Sequence, residues 1–250
     1  VLIYFSWCTT SAGIRVAIEE WKKAAAKQAT KLVKKGMVVG LGSGSTVAHT
    51  VRTLAARKPA IICVPSSAAI NRLAAGLGLK LGSLDDYSEL DLAIDGADEV
   101  DPNLNLIKGK GGAHTREKIV ASAARKVAIV VDRTKLVTRL GERIPVPVEV
   151  IPFAHKFTMQ QLAKLGGKPK LRMTSKGTPF VTDDGNYIVD VKFRSISTPA
   201  ALEQKINRIP GVVENGIFVE VADEVLVGYE GGCVRLRSKR DFLRFMRSFL

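Results

Sequence analysis

The chain has 250 residues, 46% of them hydrophobic and 25% charged, a globular composition that excludes disordered, collagen-like and channel-forming classes and allows one large domain or one with a smaller companion. No run approaches the ~18 consecutive apolar residues of a membrane-spanning helix. Lys and Arg outnumber Asp and Glu 38 to 24, a net charge of +14 that favours anionic partners without choosing among polyanions, membrane surfaces and small phosphorylated ligands.

The chain opens on Val1, and residues 1–18 carry Arg15 but no Asp or Glu. They are too short and Arg-poor for a transit peptide, and the apolar start is too short for a signal sequence, so they read as an incomplete or altered terminus. Residues 19–35 predict a helix that Gly36 breaks. An apolar run, 37–41, leads into a glycine cluster, and 47–57 predicts a second helix. Strand-like 60–64 ends at Pro65 and two serines, 68–76 is helical, and strand-like 90–94 ends at Asp95 and Gly96. Residues 116–125 predict a helix and 127–131 a strand that stops at Asp132. These strands are apolar throughout and alternate with helices, which predicts an α/β fold: an open, mostly parallel sheet flanked by helices. Ligands of such sheets bind beyond the carboxyl ends of the strands, and each of these ends in polar or glycine-rich sequence.

From about Pro145 the texture changes. A proline-punctuated strand VPVEVIP precedes a helix over 156–165, and Asp184-Gly185 sits between two β-rich runs as a hairpin turn should. A helix over 199–207 and strands over 216–221 and 224–229 complete a small inserted α+β unit and the return to the core. The tail, 233–250, has six Lys or Arg against one Asp, and its aromatic residues recur at helical spacing, which predicts a basic amphipathic helix packed on the body.

Two clusters carry chemistry. GLGSGST follows a strand and opens a helix, so backbone N–H groups around Gly44, the helix dipole and the hydroxyls of Ser43, Ser45 and Thr46 make an anion site. No lysine follows the final glycine, which excludes a Walker loop, and no acidic residue ends the next strand to hold a ribose hydroxyl. The second cluster, DGADEVDPNLNLIKGKGGAHTREK, gathers Asp95, Asp98, Lys108 and Glu117 around a flexible glycine stretch, a combination suited to acid–base work. Its spacing fails the EF-hand test, and Glu99 and Asp101 read as a solvated acidic turn. His49, His114 and His155 lack metal-ligand spacing, so no metal site is predicted. Cys8, Cys63 and Cys233 are odd in number and dispersed, which points to a reducing compartment and away from thiol catalysis.

Together GLGSGSTV, AIDGADEVDPNLNLIKGKGGAHTREKIVASA, VDRTKLV, IPVPVEVIP, VTDDGNYIVDV and IPGVVENGIF resemble, in order, the successive blocks of type A ribose-5-phosphate isomerases. The resemblance runs from about Lys22 to Gly232. It implies a cofactor-free aldose-ketose isomerase of the pentose phosphate pathway, a homodimer or homotetramer, in the cytoplasm or alternatively the plastid stroma. It also implies an α/β core over 1–146 and 222–250 with an α+β lid over 147–221. Carried over by position, Glu117 becomes the base that moves a proton between C1 and C2, with Asp95, Asp98 and Lys108 around the same carbons. Within that set Asp95 is expected to assist ring opening and Asp98 to orient Lys108. Ser45, Thr46, Lys135 and Lys22 are expected to hold the phosphate, with Ser43, Gly44, Gly96, Ala97, Gly109, Lys110 and Gly111 completing the binding surface. The partner implied is a phosphorylated pentose, with neither nucleic acid nor membrane.

Three features depart from that pattern. His114 replaces an apolar residue three positions before Glu117, on the same helical side, where it either packs or shifts the base. Ser66 stands where threonine is common, and the tail after Arg237 is not shared. The competing readings are a sugar-phosphate deaminase of the same broad fold and a sugar-phosphate-sensing or nucleic-acid-binding protein. The basic residues are spread rather than striped, and no helix-turn-helix or zinc-finger signature supports the latter.

Overall fold

Strands that are apolar on both faces are stable only between two layers of helix, and the computed structural model, which describes residues 11–249, has this layering. In chain order the first half comprises α1 (Ser11–Thr30), β1 (Val38–Leu41), α2 (Ser45–Arg57), β2 (Ile62–Pro65), α3 (Ala68–Gly76) and β3 (Leu92–Asp95). Next come β4 (Glu99–Val100), β5 (Leu106–Ile107), α4 (His114–Ser122), β6 (Val127–Asp132) and a 3-10 turn (Arg133–Lys135). The second half comprises β7 (Val146–Val150), α5 (His155–Lys164), β8 (Lys168–Leu171), β9 (Tyr187–Lys192), α6 (Pro199–Asn207) and β10 (Val212–Asn215). It ends with β11 (Ile217–Phe218), β12 (Glu224–Tyr229), β13 (Gly232–Leu236) and α7 (Lys239–Arg247).

The main sheet has six strands in the order β13-β12-β6-β3-β1-β2. All neighbours pair in parallel except the edge hairpin β12–β13, so the carboxyl ends of β1, β2, β3, β6 and β12 lie along one edge. One face is covered by α1, α2 and α3, whose buried Ala25, Ala29, Val47, Val51, Leu54 and Ile70 meet Leu41, Ile94 and Leu226. The other is covered by α4 and α7 through Val120, Ala121, Phe242 and Phe245. The basic tail is therefore a helix packed by its aromatic side, and Ser238 caps it by accepting from the Asp241 N–H. A second, antiparallel sheet, β10-β7-β9-β8, with α5 and α6 has its own core of Val146, Val148, Val150, Leu162, Val189 and Ile206.

Some expected boundaries move. Helix α1 starts at Ser11 rather than near residue 19, because Gly13 is the sole weak helix former between them and does not stop propagation. The reading of the opening residues as an altered terminus concerns, for residues 1–10, a stretch outside the described residues. The strand expected over 216–221 is only β11, which joins β5 and β4 in a three-stranded ribbon. The Asp184-Gly185 turn is present, closed by Asn186 and Thr182 backbone bonding, but its strands pair only at Val181 and Tyr187. Strand β9 instead takes β7 and β8 as neighbours.

Helix α1 lies close to β12 because Gly228 has no side chain: a Cβ there would sit 1.8 Å from the Trp21 carbonyl oxygen. Gly228→Ala should therefore destabilise the protein by about 1–3 kcal/mol through overpacking against backbone, read as a lower urea midpoint. An unchanged midpoint would show that α1 is not docked on β12.

Candidate active site

The glycine loop after β1 is shaped by a neighbouring carboxylate. A Cβ on Gly42 would fall 1.8 Å from Asp95 Oδ1, so only glycine lets the loop pass the end of β3. Ser43 N–H and Gly96 N–H then donate to that same oxygen at 3.1 and 2.7 Å. The Ser43 hydroxyl donates to Ser67 Oγ at 2.8 Å and lies 3.2 Å from Ser66 Oγ, so it ties the loops after β1 and β2 together. Gly44, at φ 100°, opens α2 without a capping side chain, and the exposed Ser45 and half-buried Thr46 hydroxyls have no hydrogen-bond partner among the described residues. The helix start thus presents free amides, a positive dipole end and two hydroxyls, the elements of an anion cradle.

At the ends of β3 and β5 stands a buried charged trio. Lys108 Nζ lies 3.0 Å from Asp95 Oδ2 and 3.0 Å from Glu117 Oε2, and donates to the Gly96 carbonyl at 2.6 Å. All three residues are at most 5% exposed. The Lys108–Glu117 contact is one of charge: Glu117 Oε2 receives no aligned hydrogen bond. Burial first, and the negative charge of Asp95 second, push the Glu117 carboxyl up to about 7, against the pull of Lys108. Asp95 is also raised by burial, while Lys108 and its two N–H donors favour its charged form. Burial would depress the Lys108 ammonium, yet Asp95 and Glu117 together raise it, which keeps it charged.

His114 and Glu117 do share the buried face of α4 with Val120 and Ala121. His114 is fully buried, its Nε2 3.3 Å from the Glu214 carbonyl and its Nδ1 unpartnered. Burial, with the nearby cations Lys118, Arg172 and Lys108, lowers it to about 3, so it is neutral. It is absent from the groups that shift Glu117 and belongs to the packing between the helix and Gly109.

Cradle and trio open on one cavity of about 130 Å³. Its walls are Lys22, Ser43, Gly44, Ser45 and Thr46, then Gly96, Ala97 and Asp98, then Lys108, Gly109, Gly111, Glu117 and Lys135. Two residues singled out from sequence stand outside the wall. Asp95 lies behind Lys108, and Lys110 is exposed, its backbone N–H donating to Asp98 Oδ2 at 2.9 Å. Of the two aspartates it is Asp95 whose Oδ2 lies 3.0 Å from Lys108 Nζ, whereas the side chain of Asp98 turns to the 108–112 loop. Lys22 is already paired with Glu19 at 2.6 Å, whereas Lys135 has no carboxylate partner among the described residues.

Glu99 and Asp101 are not a solvated turn. Glu99 is fully buried and accepts from the N–H groups of Gly141, Arg143 and Ile144 at 2.6, 2.7 and 2.9 Å. Asp101 is 5% exposed and accepts from Asn103 and Asn105. Both carboxylates satisfy loop donors that no nearby backbone reaches.

Sequence reasoning missed the residues that tie the second sheet to this cavity. Arg172, held by Asp190 at 2.9 and 2.5 Å, donates to the carbonyls of Gly109 and Lys110 at 2.9 and 3.0 Å. Asp183, in the turn before β9, accepts from the N–H of Ala68 at 2.8 Å, and Asp184 pairs with Arg116 at 2.5 Å. Nothing in sequence spacing distinguishes Arg172 from the other surface cations.

A buried carboxylate–ammonium–carboxylate trio beside an anion cradle, at the open edge of a parallel sheet, defines an α/β acid–base enzyme for a ligand that carries an anionic group. The sequence model of the family described as ribose 5-phosphate isomerase A (phosphoriboisomerase A) matches residues 62–232. A ribose-5-phosphate isomerase A of Thermosynechococcus vestitus is 53% identical over 218 residues, 85% of this chain and 92% of that one. The structure of ribose 5-phosphate isomerase A from Methanocaldococcus jannaschii superposes with a TM-score of 0.85 at 45% identity, covering 88% of this chain and 99% of that one. A D-ribose-5-phosphate isomerase in complex with phospho-erythronic acid gives 0.86 at 45% identity, with the same coverage of 88% and 99%. The chain belongs to the ribose 5-phosphate isomerase A family. No helix among the described residues is long and apolar enough to cross a membrane.

The electrostatics of the trio are directly measurable. A carboxyl-carbon NMR titration should give Glu117 a midpoint near 7, and Asp95→Asn should lower it by removing a like charge. A midpoint between about 4 and 5, the ordinary carboxyl range, would contradict the described environment.

Proposed function

We propose that the chain interconverts D-ribose 5-phosphate and D-ribulose 5-phosphate through an enediolate, with Glu117 as the base. The observation that carries this reading is that a carboxyl group pushed up to about 7 shares one cavity with the Gly-Ser-Thr cradle. A base is most effective when its pKa lies near the working pH.

In the open-chain aldose Glu117 takes the proton from C2. The C–H electron pair becomes the C1=C2 bond, and the carbonyl pair moves to O1. The O2 proton then passes to O1, the O2–H electron pair forms C2=O, and the C1=C2 pair takes the proton back from the same carboxyl at C1, which gives the ketose. One carboxyl serves both carbons because they are adjacent. Lys108 stabilises the oxyanion as it forms, acting in a site with little water, where a fixed positive charge is strongest. Asp95 is a positioning residue that holds Lys108 from behind, and Asp98, on the cavity wall, is the group that serves the ring oxygen during opening.

Ser45 and Thr46, the free amides of α2, Lys135 and Lys22 bind the phosphate, with Gly44 and the Ser43 tie shaping the turn. Gly96, Ala97, Gly109 and Gly111 are small enough to let the sugar approach backbone, and Lys110 holds Asp98 through its N–H. Binding the remote phosphate fixes the reacting carbons. Residues 147–221 act as a lid, a reading supported by Arg172 and by the Asp183 and Asp184 contacts. The exposed apolar residues Ile151, Phe153, Phe157 and Val213 support assembly into a homo-oligomer.

Glu117→Gln should lower kcat by about 10²–10⁴-fold, the range for loss of a general base, while ligand affinity is retained. A variant turning over at the wild-type rate would remove Glu117 from this role. For Lys135→Ala the expected change is mainly a higher KM for ribose 5-phosphate, and an unaltered KM together with a lower kcat would refute the phosphate assignment.

A further inference from the structure

The C-terminal helix lies beyond residues 62–232, where the family match falls, yet the segment that follows it meets, at one arginine, the 3-10 turn that carries the cavity residue Lys135. Arg133, in the 3-10 turn that ends at Lys135, is sandwiched between two rings. Its guanidinium carbon is 4.9 Å from the Trp21 ring centre and 4.8 Å from that of Phe249. Glu230 Oε2 lies 3.2 Å from Arg133 Nε, so charge is met at the edge while both faces stack. Phe249, two residues beyond α7, is fixed in turn by edge contacts with Phe245 at 4.9 Å and Tyr229 at 6.1 Å.

Two of the three layers, Trp21 and Arg133, stand in sequence beside the two lysines that line the cavity. Trp21 precedes Lys22 on α1, and its carbonyl rests on Gly228, which leaves that part of α1 no room to approach further. Arg133 stands two positions before Lys135 in a turn pinned elsewhere: Asp132 accepts from Thr134 N–H at 3.0 Å, and the Arg143 guanidinium donates to the Thr134 carbonyl. Lys22 and Lys135 come from separate elements, α1 and the turn after β6, and Lys135 has no carboxylate partner among the described residues. Two like charges aimed at one cavity repel unless the backbone segments that carry them are clamped.

We propose that the Trp21–Arg133–Phe249 stack is a positioning device that holds Lys22 and Lys135 together over the phosphate end of the cavity, so that the C-terminal helix sets the affinity for the ligand's phosphate. It rests on the phosphate assignment made above, and acts through Lys135 and Lys22 without touching substrate. The stack is part-exposed, with Arg133 35% accessible, and its loss leaves the Asp95–Lys108–Glu117 trio untouched.

The test is binding of inorganic phosphate, followed by calorimetric or phosphorus NMR titration, together with steady-state kinetics on ribose 5-phosphate. Phe249→Ala and Arg133→Leu should each raise the phosphate Kd and the KM about 3- to 10-fold, a factor in keeping with losing one cation–π face, with kcat within about 2-fold. Phe249→Tyr, which keeps the ring, should restore wild-type values. Phe249 lies outside α7 and is 38% exposed, so it decides the matter if Arg133→Leu does not fold. Unchanged Kd and KM in Phe249→Ala, or a fall in kcat alone, would overturn the proposal. Lys135→Ala separates the two readings: if it weakens phosphate binding while the stack variants do not, only the positioning role fails, and if none of them has an effect, the phosphate assignment fails as well.

Discussion

A lysine ammonium buried between two carboxylates costs several kcal/mol in lost hydration for each ion, and it persists only where every charge is met. Lys108 is met by Asp95, Glu117 and the Gly96 carbonyl. Asp95 is met in turn by the N–H groups of Ser43 and Gly96, which reach it because Gly42 has no side chain. The anion cradle and the acid–base trio are therefore one construction. The backbone turn that opens α2 toward a phosphate is the same turn that satisfies the carboxylate behind the lysine. Glu117 is the least satisfied member, and its burial, with the negative charge of Asp95 beside it, leaves it basic enough to accept a proton near neutral pH.

The parallel sheet supplies the address. Because the carboxyl ends of β1, β3 and β6 share an edge, Ser43, Gly96 and Lys135, far apart in sequence, meet around one cavity. The antiparallel sheet adds stiffness from the other side. Arg172 binds two carbonyls of the glycine-rich 109–112 loop, a segment otherwise short of side-chain contacts, and Asp183 and Asp184 pin the turn before β9 to α3 and α4.

Much of this was legible in the sequence because the determinants are local. Apolar runs ending in Gly, Ser and Asp announce buried parallel strands with polar ends, and GLGSGST announces a strand-to-helix turn. What was not legible depends on long-range pairing. The sequence could not show that Glu99 is buried under the 141–144 loop, since its three N–H donors lie more than forty residues away. Which of Asp95 and Asp98 meets Lys108 was hidden for the same reason: Asp95 ends β3, Asp98 follows it, and only the folded backbone decides which faces the lysine. Arg172 carries no motif, Arg133 sits in the VDRTKLV block without a role that the block announces, and what distinguishes both is what the tertiary structure stacks or hydrogen-bonds around them. The tail was readable as an amphipathic helix from its aromatic spacing, but not as a neighbour of the turn that carries Lys135.

The account stands on one sugar phosphate spanning the cradle and the trio. The most direct measurement is a crystal structure of the Glu117→Gln protein with ribose 5-phosphate bound. The phosphate should lie on the amides and hydroxyls of residues 44–46 with Lys135, and C1 and C2 should fall within about 3.5 Å of the residue 117 side chain, near-attack distance. A phosphate seated elsewhere, or reacting carbons out of reach of residue 117 with the phosphate in the cradle, would contradict it.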